Sequence, residues 1–318
     1  MDLSLLLENL KNPSLLFFVL GILSVYLKSD LEIPPSSSKF ISLYLLLCIG
    51  FKGGQELSHE TLSVNILYCL LFGVLLAAVI PVYTFFILKK KFNVYDAAAV
   101  AAAYGSVSAV TFVTATNYLE LKGMQFNGYM VAVMALMESP AIIAGLLLFS
   151  LYGNQSNKGH NKEILRHSVT NGSVLLIMGS LVVGYFTSTA QAEGIKPFTN
   201  DIFKGFLAIF LLDMGIVSGK KLSDLFHRGW YPFAFGLLVP LLNGCVVAFL
   251  SHFVTDDVSN RFIFSILAAS ASYIAVPAAM KIALPQANPG IYLPMALGIT
   301  FPVNITIGFP IYYCICVI

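Results

Sequence analysis

Ten apolar runs follow one another along this chain, over residues 13–27, 40–51, 64–88, 96–121, 129–152, 173–186, 202–217, 231–254, 262–280 and 291–318. A helix needs about 20 mostly apolar residues to cross the hydrocarbon of a bilayer, and most of these runs approach that length. Backbone polar groups find no water there, so a spanning segment must satisfy them internally, as a helix does. The pattern predicts an all-α polytopic membrane protein with ten transmembrane helices. Composition excludes the soluble alternative. The 318 residues are 58% hydrophobic and 11% charged, whereas soluble domains carry about 25% charged residues. The net charge of +2 gives no electrostatic footprint for nucleic acid.

Two of the ten runs are interrupted. The 96–121 run begins Ala-rich, breaks at Gly105-Ser106-Val107-Ser108, and resumes with Thr111, Thr114 and Thr116. The 262–280 run carries Ser270-Ala271-Ser272-Tyr273 in the corresponding place. Other features recur at a similar offset. Gly50-x-x-x-Gly54-x-x-Leu57-Ser58 reappears 165 residues on as Gly215-x-x-x-Gly219-x-x-Leu222-Ser223. Ser106 and Ser108 fall on Ser270 and Ser272 at an offset of 164, and Pro140 falls on Pro302 at 162. Self-similarity at a fixed period is the mark of a repeat. Five segments per repeat is an odd number, so the second copy enters the membrane from the opposite face. The expectation is two inverted five-helix repeats, 1–152 and 171–318, joined by a cytoplasmic loop at 153–170. Paired interrupted helices in such halves point to a carrier's binding site.

Loop charge sets the orientation. The odd-numbered loops hold 12 of the 18 Lys and Arg residues, so they are assigned to the cytoplasm and both chain ends to the outside. Lys89-Lys90-Lys91 reads as a membrane-edge anchor. The first residues lack the cationic start and cleavage site of a signal peptide and read as a short amphipathic lead-in. Cys48, Cys69, Cys245, Cys314 and Cys316 lie in apolar runs without metal-ligand spacing and read as buried free thiols.

A helix broken inside a bilayer leaves N–H groups that must face protein, water or a ligand. At a half-helix start these donors converge and the helix dipole adds partial positive charge. Gly105, Ser106, Val107, Ser108 and Thr111, with Ser270, Ala271, Ser272 and Tyr273, would then form a small, neutral, donor-rich cage for a compact anion. Small residues also serve close helix packing, the alternative reading for either break alone. Two acids lie inside predicted spans, Glu138 before Ser139-Pro140 and Asp213. Intramembrane acids are functional candidates by default. Either could hold a sodium ion with freed carbonyls, joined by Ser108 and Ser272, or carry a proton. Pro140 is expected to open the helix locally. Asp96 and Glu120 read as interfacial, and Asn304 as a further candidate ligand. No nucleotide-binding loop and no His-x-x-x-His pair is present, which argues against an ATP-driven pump and against an enzyme.

On these residues the chain resembles the SbtA-type sodium-dependent bicarbonate transporters. The resemblance runs through Ile49-Gly50-Phe51-Lys52-Gly53-Gly54, Tyr104-Gly105-Ser106-Val107-Ser108 with Thr111, Glu138-Ser139-Pro140-Ala141, and Ala268-Ala269-Ser270-Ala271-Ser272. Its most specific piece is Pro285-Gln286-Ala287-Asn288-Pro289. It implies ten helices in two inverted repeats, core and gate domains each drawn from both repeats, a homotrimer, and residence in a bacterial inner membrane. It further implies bicarbonate held between the half-helix starts, with Na+ as coupling ion and no cofactor. A PII-like regulator of the SbtB type would act on the cytoplasmic side, although the loop at 153–170 is shorter than the cyanobacterial one. The cyanobacterial pattern has Ser-Gly-Ser-Thr where this chain has Ser108-Ala109-Val110-Thr111. It has an acid where this chain has Tyr273, and an apolar residue in place of Asp213. Glu138 or Asp213 would supply the charge that Tyr273 lacks. The competing functions are a symporter for another small anion such as a short carboxylate, a channel-like anion pathway, a membrane sensor and an intramembrane enzyme.

Overall fold

The structure is a computed structural model describing residues 13–59, 63–153, 172–226, 229–273 and 275–318. The N-terminal lead-in and nearly all of the 153–170 loop lie outside the described residues, so the expectation of a regulator docking there does too. Among the described residues there is helix and no strand. The helices are α1 Pro13–Tyr26, α2 Pro35–His59, α3 Val64–Leu88, α4 Val94–Gly105, α5 Ala109–Leu121, α6 Tyr129–Tyr152 and α7 Gly172–Phe186. They continue as α8 Thr189–Lys196, α9 Ile202–Phe226, α10 Trp230–Leu250, α11 Val258–Ala269 and α12 Ala275–Ala283, and end with α13 Pro289–Val317.

Seven helical rods among the described residues are long and apolar enough to cross a membrane: α2, α3, the broken rod Val94–Leu121, α6, Thr189–Lys221, Trp230–Phe253 and α13. The other three expected segments coincide with the shorter apolar helices Leu16–Tyr26, Leu175–Phe186 and Val258–Ala269. The second run departs from the sequence expectation. Its glycines were expected to end it, yet α2 continues through them to His59. Gly50 and Gly54 lie where α2 meets the backbone of α7. A Cβ on Gly50 would sit 2.6 Å from the Ile177 carbonyl, and one on Gly54 would sit 2.7 Å from the Tyr185 nitrogen. Close backbone approach gives these glycines a packing role that outweighs their poor helix propensity.

The packing of one half is mirrored in the other. α2 packs on α7, and α9 packs on α1. In the second pairing Gly215 meets Phe18 and Gly21, and Gly219 meets Val25. α3 packs on α4 and α6, as α10 packs on α11 and α13. The capping hydrogen bonds repeat as well. Asn93 caps α4 by accepting the Asp96 N–H at 2.8 Å, and Asp257, 164 residues later, caps α11 by accepting the Asn260 N–H at 2.8 Å. Asp96 Oδ1 then accepts the Asn288 N–H at 2.7 Å, at the start of α13. Its counterpart Asn260 accepts the Asn127 N–H at 3.0 Å, just before α6. Each half therefore ties down the last helix of the other. Asp96 was expected at the interface, but it is buried. The bond from the Asn288 N–H to Oδ1 and the one from the Asn93 amide to Oδ2, at 2.6 Å, are what make burial of a carboxylate tolerable. Glu120 does lie at an exposed edge, 3.4 Å from Lys204 and 4.0 Å from Lys52.

Candidate functional site

The two broken rods cross. α4 packs against α12, and α5 against α11. Gly105 ends α4 where its Cβ would run into the ring of Pro81 on α3, so only glycine fits. Ser106 follows in an extended conformation, φ −85° and ψ 179°, and Ser108 is the N-cap of α5. Ser270, φ −89° and ψ 169°, ends α11 in the same way. The breaks are joined by two hydrogen bonds. The Ser108 N–H donates to Ser270 Oγ at 3.0 Å, and the Ser272 N–H donates to the Ala103 carbonyl at 2.8 Å.

The half-helix starts are capped alike. Ser108 Oγ accepts the Thr111 N–H at 3.1 Å, and Ser272 Oγ accepts the Val276 N–H at 3.3 Å. An accepting hydroxyl still has its own proton to donate. The first N–H groups of α5, from Ala109 and Val110, have no acceptor within their own helix. Ser106, Val107, Ser108, Thr111, Ser270, Ala271 and Ser272 are all buried at this crossing. One hydroxyl there, Ser106 Oγ, is sealed from solvent without a partner, and the buried Tyr273 hydroxyl faces the Ser108 side chain. Buried polar atoms are almost always hydrogen-bonded, so an orphan hydroxyl at a helix break calls for a ligand.

Glu138 belongs to the same level of the molecule. It lies seven residues before Gly145 on α6, and therefore on the same face. Gly145 packs against Ala98 and Ala102 of α4. The short α5–α6 connection makes α6 antiparallel to the broken rod. Moving about 10.5 Å back along α6 thus advances about seven residues along that rod, to the break. Glu138 is buried, and its Oε2 has no hydrogen-bond partner. Pro140 does not break the helix as expected, since α6 runs unbroken through it. Its missing N–H affects a single rung of the ladder, and the helix is held on either side by α3 and α4. The matching position on α13, Pro302, is flanked by π-helical turns at Ala296–Thr300 and Asn304–Gly308.

Asp213 is placed differently. It is buried on α9, where Ser38 of α2 donates to its Oδ2. It shares with Tyr273 a cavity of about 390 Å³ whose wall also carries Ser38, Ser42, Phe210 and Lys220. A second cavity of about 740 Å³ lies at the opposite ends of α2 and α9, among Lys52, Glu120, Glu193, Lys196 and Lys204. The structure thus brings both serine pairs and Tyr273 to the crossing, with Glu138 at about the same depth on α6 and Asp213 across a cavity from Tyr273.

Two groups, Asn243 and the Tyr104–Thr300 pair, escaped sequence reasoning, and Asn304 differs from its reading as a candidate ligand. Asn304 is no free ligand: it is fully buried, donating to the Ala269 carbonyl at 2.7 Å and accepting from the Tyr312 hydroxyl at 2.9 Å. Asn243 donates to the Ala268 carbonyl at 3.4 Å and accepts from the Tyr83 hydroxyl. Tyr104 and Thr300 join across 2.8 Å, and Thr300 donates onward to the Gly236 carbonyl at 2.7 Å. A lone polar residue in an apolar run was the available signal for each. Among the described residues no group of His, Cys, Asp and Glu gathers as a metal site would require.

Compared with known families, residues 13–317 match the profile of the Na+-dependent bicarbonate transporter superfamily, nearly the whole chain. No curated protein matches the chain.

Proposed function

This chain belongs to the Na+-dependent bicarbonate transporter superfamily, a family of transporters and not of enzymes, and from that premise we propose that it imports bicarbonate by sodium symport. The anion lies at the crossing, between the starts of α5 and α12. There the Ser108 and Ser272 hydroxyls, the first N–H groups of α5 and the Tyr273 hydroxyl supply donors without a fixed positive charge. The coupling sodium is drawn by a carboxylate near the crossing, Glu138 or Asp213. Ten crossings in two inverted five-helix repeats carry this site, with α1, α2, α7 and α9 as gate and the remaining crossings as core. Both chain ends lie outside, in a bacterial inner membrane, and the carrier assembles as a trimer open to a PII-like regulator. The mirrored glycine contacts and cross-half clamps support the repeat reading. The observation that carries the function is the sealed, unpartnered Ser106 Oγ, with the buried Tyr273 hydroxyl facing Ser108, where two broken helices meet.

The site explains how an anion can be selected without Arg or Lys. Donors on rigid half-helices are pre-aimed, and a low-dielectric surround strengthens each of them. A carboxylate at the cyanobacterial position would repel the anion unless sodium screened it. Tyr273 instead offers a neutral donor. That substitution and the 390 Å³ cavity beside it favour, as second reading, a short carboxylate larger than bicarbonate. Labelled-bicarbonate uptake into proteoliposomes decides between them. The symport reading expects saturable uptake, faster by tenfold or more under an inward sodium gradient. Uptake indifferent to sodium contradicts it, and inhibition by short carboxylates below the bicarbonate concentration selects the second reading.

A further inference from the structure

The carbonyl ends of the two broken helices differ, and every difference runs in the same direction. At the end of α11 the carbonyls of Ala268 and Ala269 are occupied by the side-chain amides of Asn243 and Asn304. A carbonyl oxygen can only accept, so each amide must present its Nδ2 there. The hydroxyls of Tyr83 and Tyr312 hold both amides in that orientation. Among the described residues no side-chain amide reaches the matching end of α4, where the Ser272 N–H takes up the Ala103 carbonyl. Gly73 against Met137 matches Gly236 against Ile299, at offsets of 163 and 162 residues. The same offsets pair Asn243 with Ile80 and Asn304 with Ile142.

The other two positions follow suit. Ser270 Oγ donates to the Leu267 carbonyl at 2.9 Å and accepts from Ser108, while its counterpart Ser106 Oγ has no partner and zero exposure. Thr300 is bonded to Gly236 and Tyr104, while its counterpart Glu138, 162 residues earlier, leaves Oε2 unpartnered. One break thus presents an oxygen-lined, negatively charged end. The other has had the same end filled with N–H donors.

We propose that the protein has a single cation site, at the carbonyl end of α4, built from the Tyr104 and Gly105 carbonyls, which match those of Ala268 and Ala269, with Ser106 Oγ and the Glu138 carboxylate. Asn243 and Asn304 fill the symmetry-related position, where their N–H groups stand in for a second cation. The proposal rests on the sodium-symport reading and deepens it, because one sodium then moves with each anion. Hard cations take oxygen ligands, and this is the one carbonyl end at the crossing that offers them together with a carboxylate. Asp213 is not part of the cation site. Serving a bicarbonate ion and one sodium, the cycle moves no net charge. A second sodium would make accumulation respond about 50-fold to each 100 mV of membrane potential.

The test counts sodium-22 and carbon-14 bicarbonate entering the same proteoliposomes, with valinomycin and potassium gradients setting the potential. The expected result is one sodium per anion, a Hill coefficient near 1 for sodium, and accumulation unchanged by potential. Glu138→Gln and Ser106→Ala raise the half-saturating sodium concentration tenfold or more, while Asp213→Asn leaves it within about threefold. Two sodium ions per anion, or uptake driven by an inside-negative potential, overturns the proposal while leaving symport intact. Sodium affinity unchanged in Glu138→Gln also overturns it. Uptake that ignores sodium overturns the symport reading itself. The stoichiometry is measured on the unaltered protein, so the test does not depend on a variant folding.

Discussion

Replacing Glu138 by Gln removes a charge while keeping the shape of the side chain, and two opposite effects on stability follow. Glu138 is only 9% exposed, and its Oε2 has no protein partner. Burying an ion costs an effective several kcal/mol even after the protein relaxes. A glutamine in the same place leaves amide groups partly unmet, at about 1–3 kcal/mol. Without sodium the variant should therefore be more stable than the parent, by roughly 1–3 kcal/mol as the difference of these terms. Sodium reverses the order. A ligand that binds only the folded state adds RT ln(1 + [L]/Kd), about 2.7 kcal/mol at one hundred times Kd. The parent gains this increment and Glu138→Gln loses nearly all of it. Thermal unfolding in detergent, followed by circular dichroism in sodium chloride against choline chloride at equal ionic strength, reads both effects. A variant that melts below the parent in choline and keeps the full sodium shift would refute the reasoning.

Three further outcomes are expected. Asp96→Ala strands the Asn288 N–H and the Asn93 amide and should cost on the order of 2–4 kcal/mol in thermal unfolding, while Asp96→Asn recovers only part of it, because its amide oxygen still accepts the Asn288 N–H but its NH2 faces the Asn93 NH2, another donor. Gly54→Ala puts a Cβ 2.7 Å from the Tyr185 nitrogen, which is backbone and cannot swing aside. The cost is about 1–3 kcal/mol, against a gain of up to about 1 kcal/mol for Gly205→Ala, where nothing lies within 4 Å. Ser270→Ala removes an acceptor from the Ser108 N–H and should cost about 1–3 kcal/mol of stability. Ser106→Ala removes an unpartnered hydroxyl and should leave the melting temperature almost unchanged while impairing sodium-dependent uptake.

Much of the architecture could be read from hydropathy because the bilayer demands long apolar helices. The run at 64–88 and the run at 129–152 coincide with α3 and α6. The break at Gly105–Ser108 was visible as small polar residues inside an Ala-rich run. Local pattern failed where tertiary contact decided the outcome. Gly50 and Gly54 look like a helix end, and only the backbone of α7 lying against them explains why the helix continues. Asp96 looks interfacial by its place at the start of a run, and only the Asn288 N–H, 192 residues away, accounts for its burial. The repeat offset was legible for the serines. The asymmetry between Ser106 and Ser270 was not, because both are serine and the difference lies in which of them already has a partner.

The central claim is that the starts of the two half-helices hold the anion together, and a binding measurement on a paired variant tests it most directly. Purified protein in saturating sodium is titrated with bicarbonate at fixed pH, and the rise in melting temperature is recorded for the parent and for Ser108→Ala combined with Ser272→Ala. Each serine caps one half-helix, so the pair removes a hydroxyl donor from both sides of the cage. The account predicts a bicarbonate-dependent rise in the parent and its loss in a double variant that still shows a cooperative melt. A double variant that melts cooperatively and keeps the full rise would contradict the account.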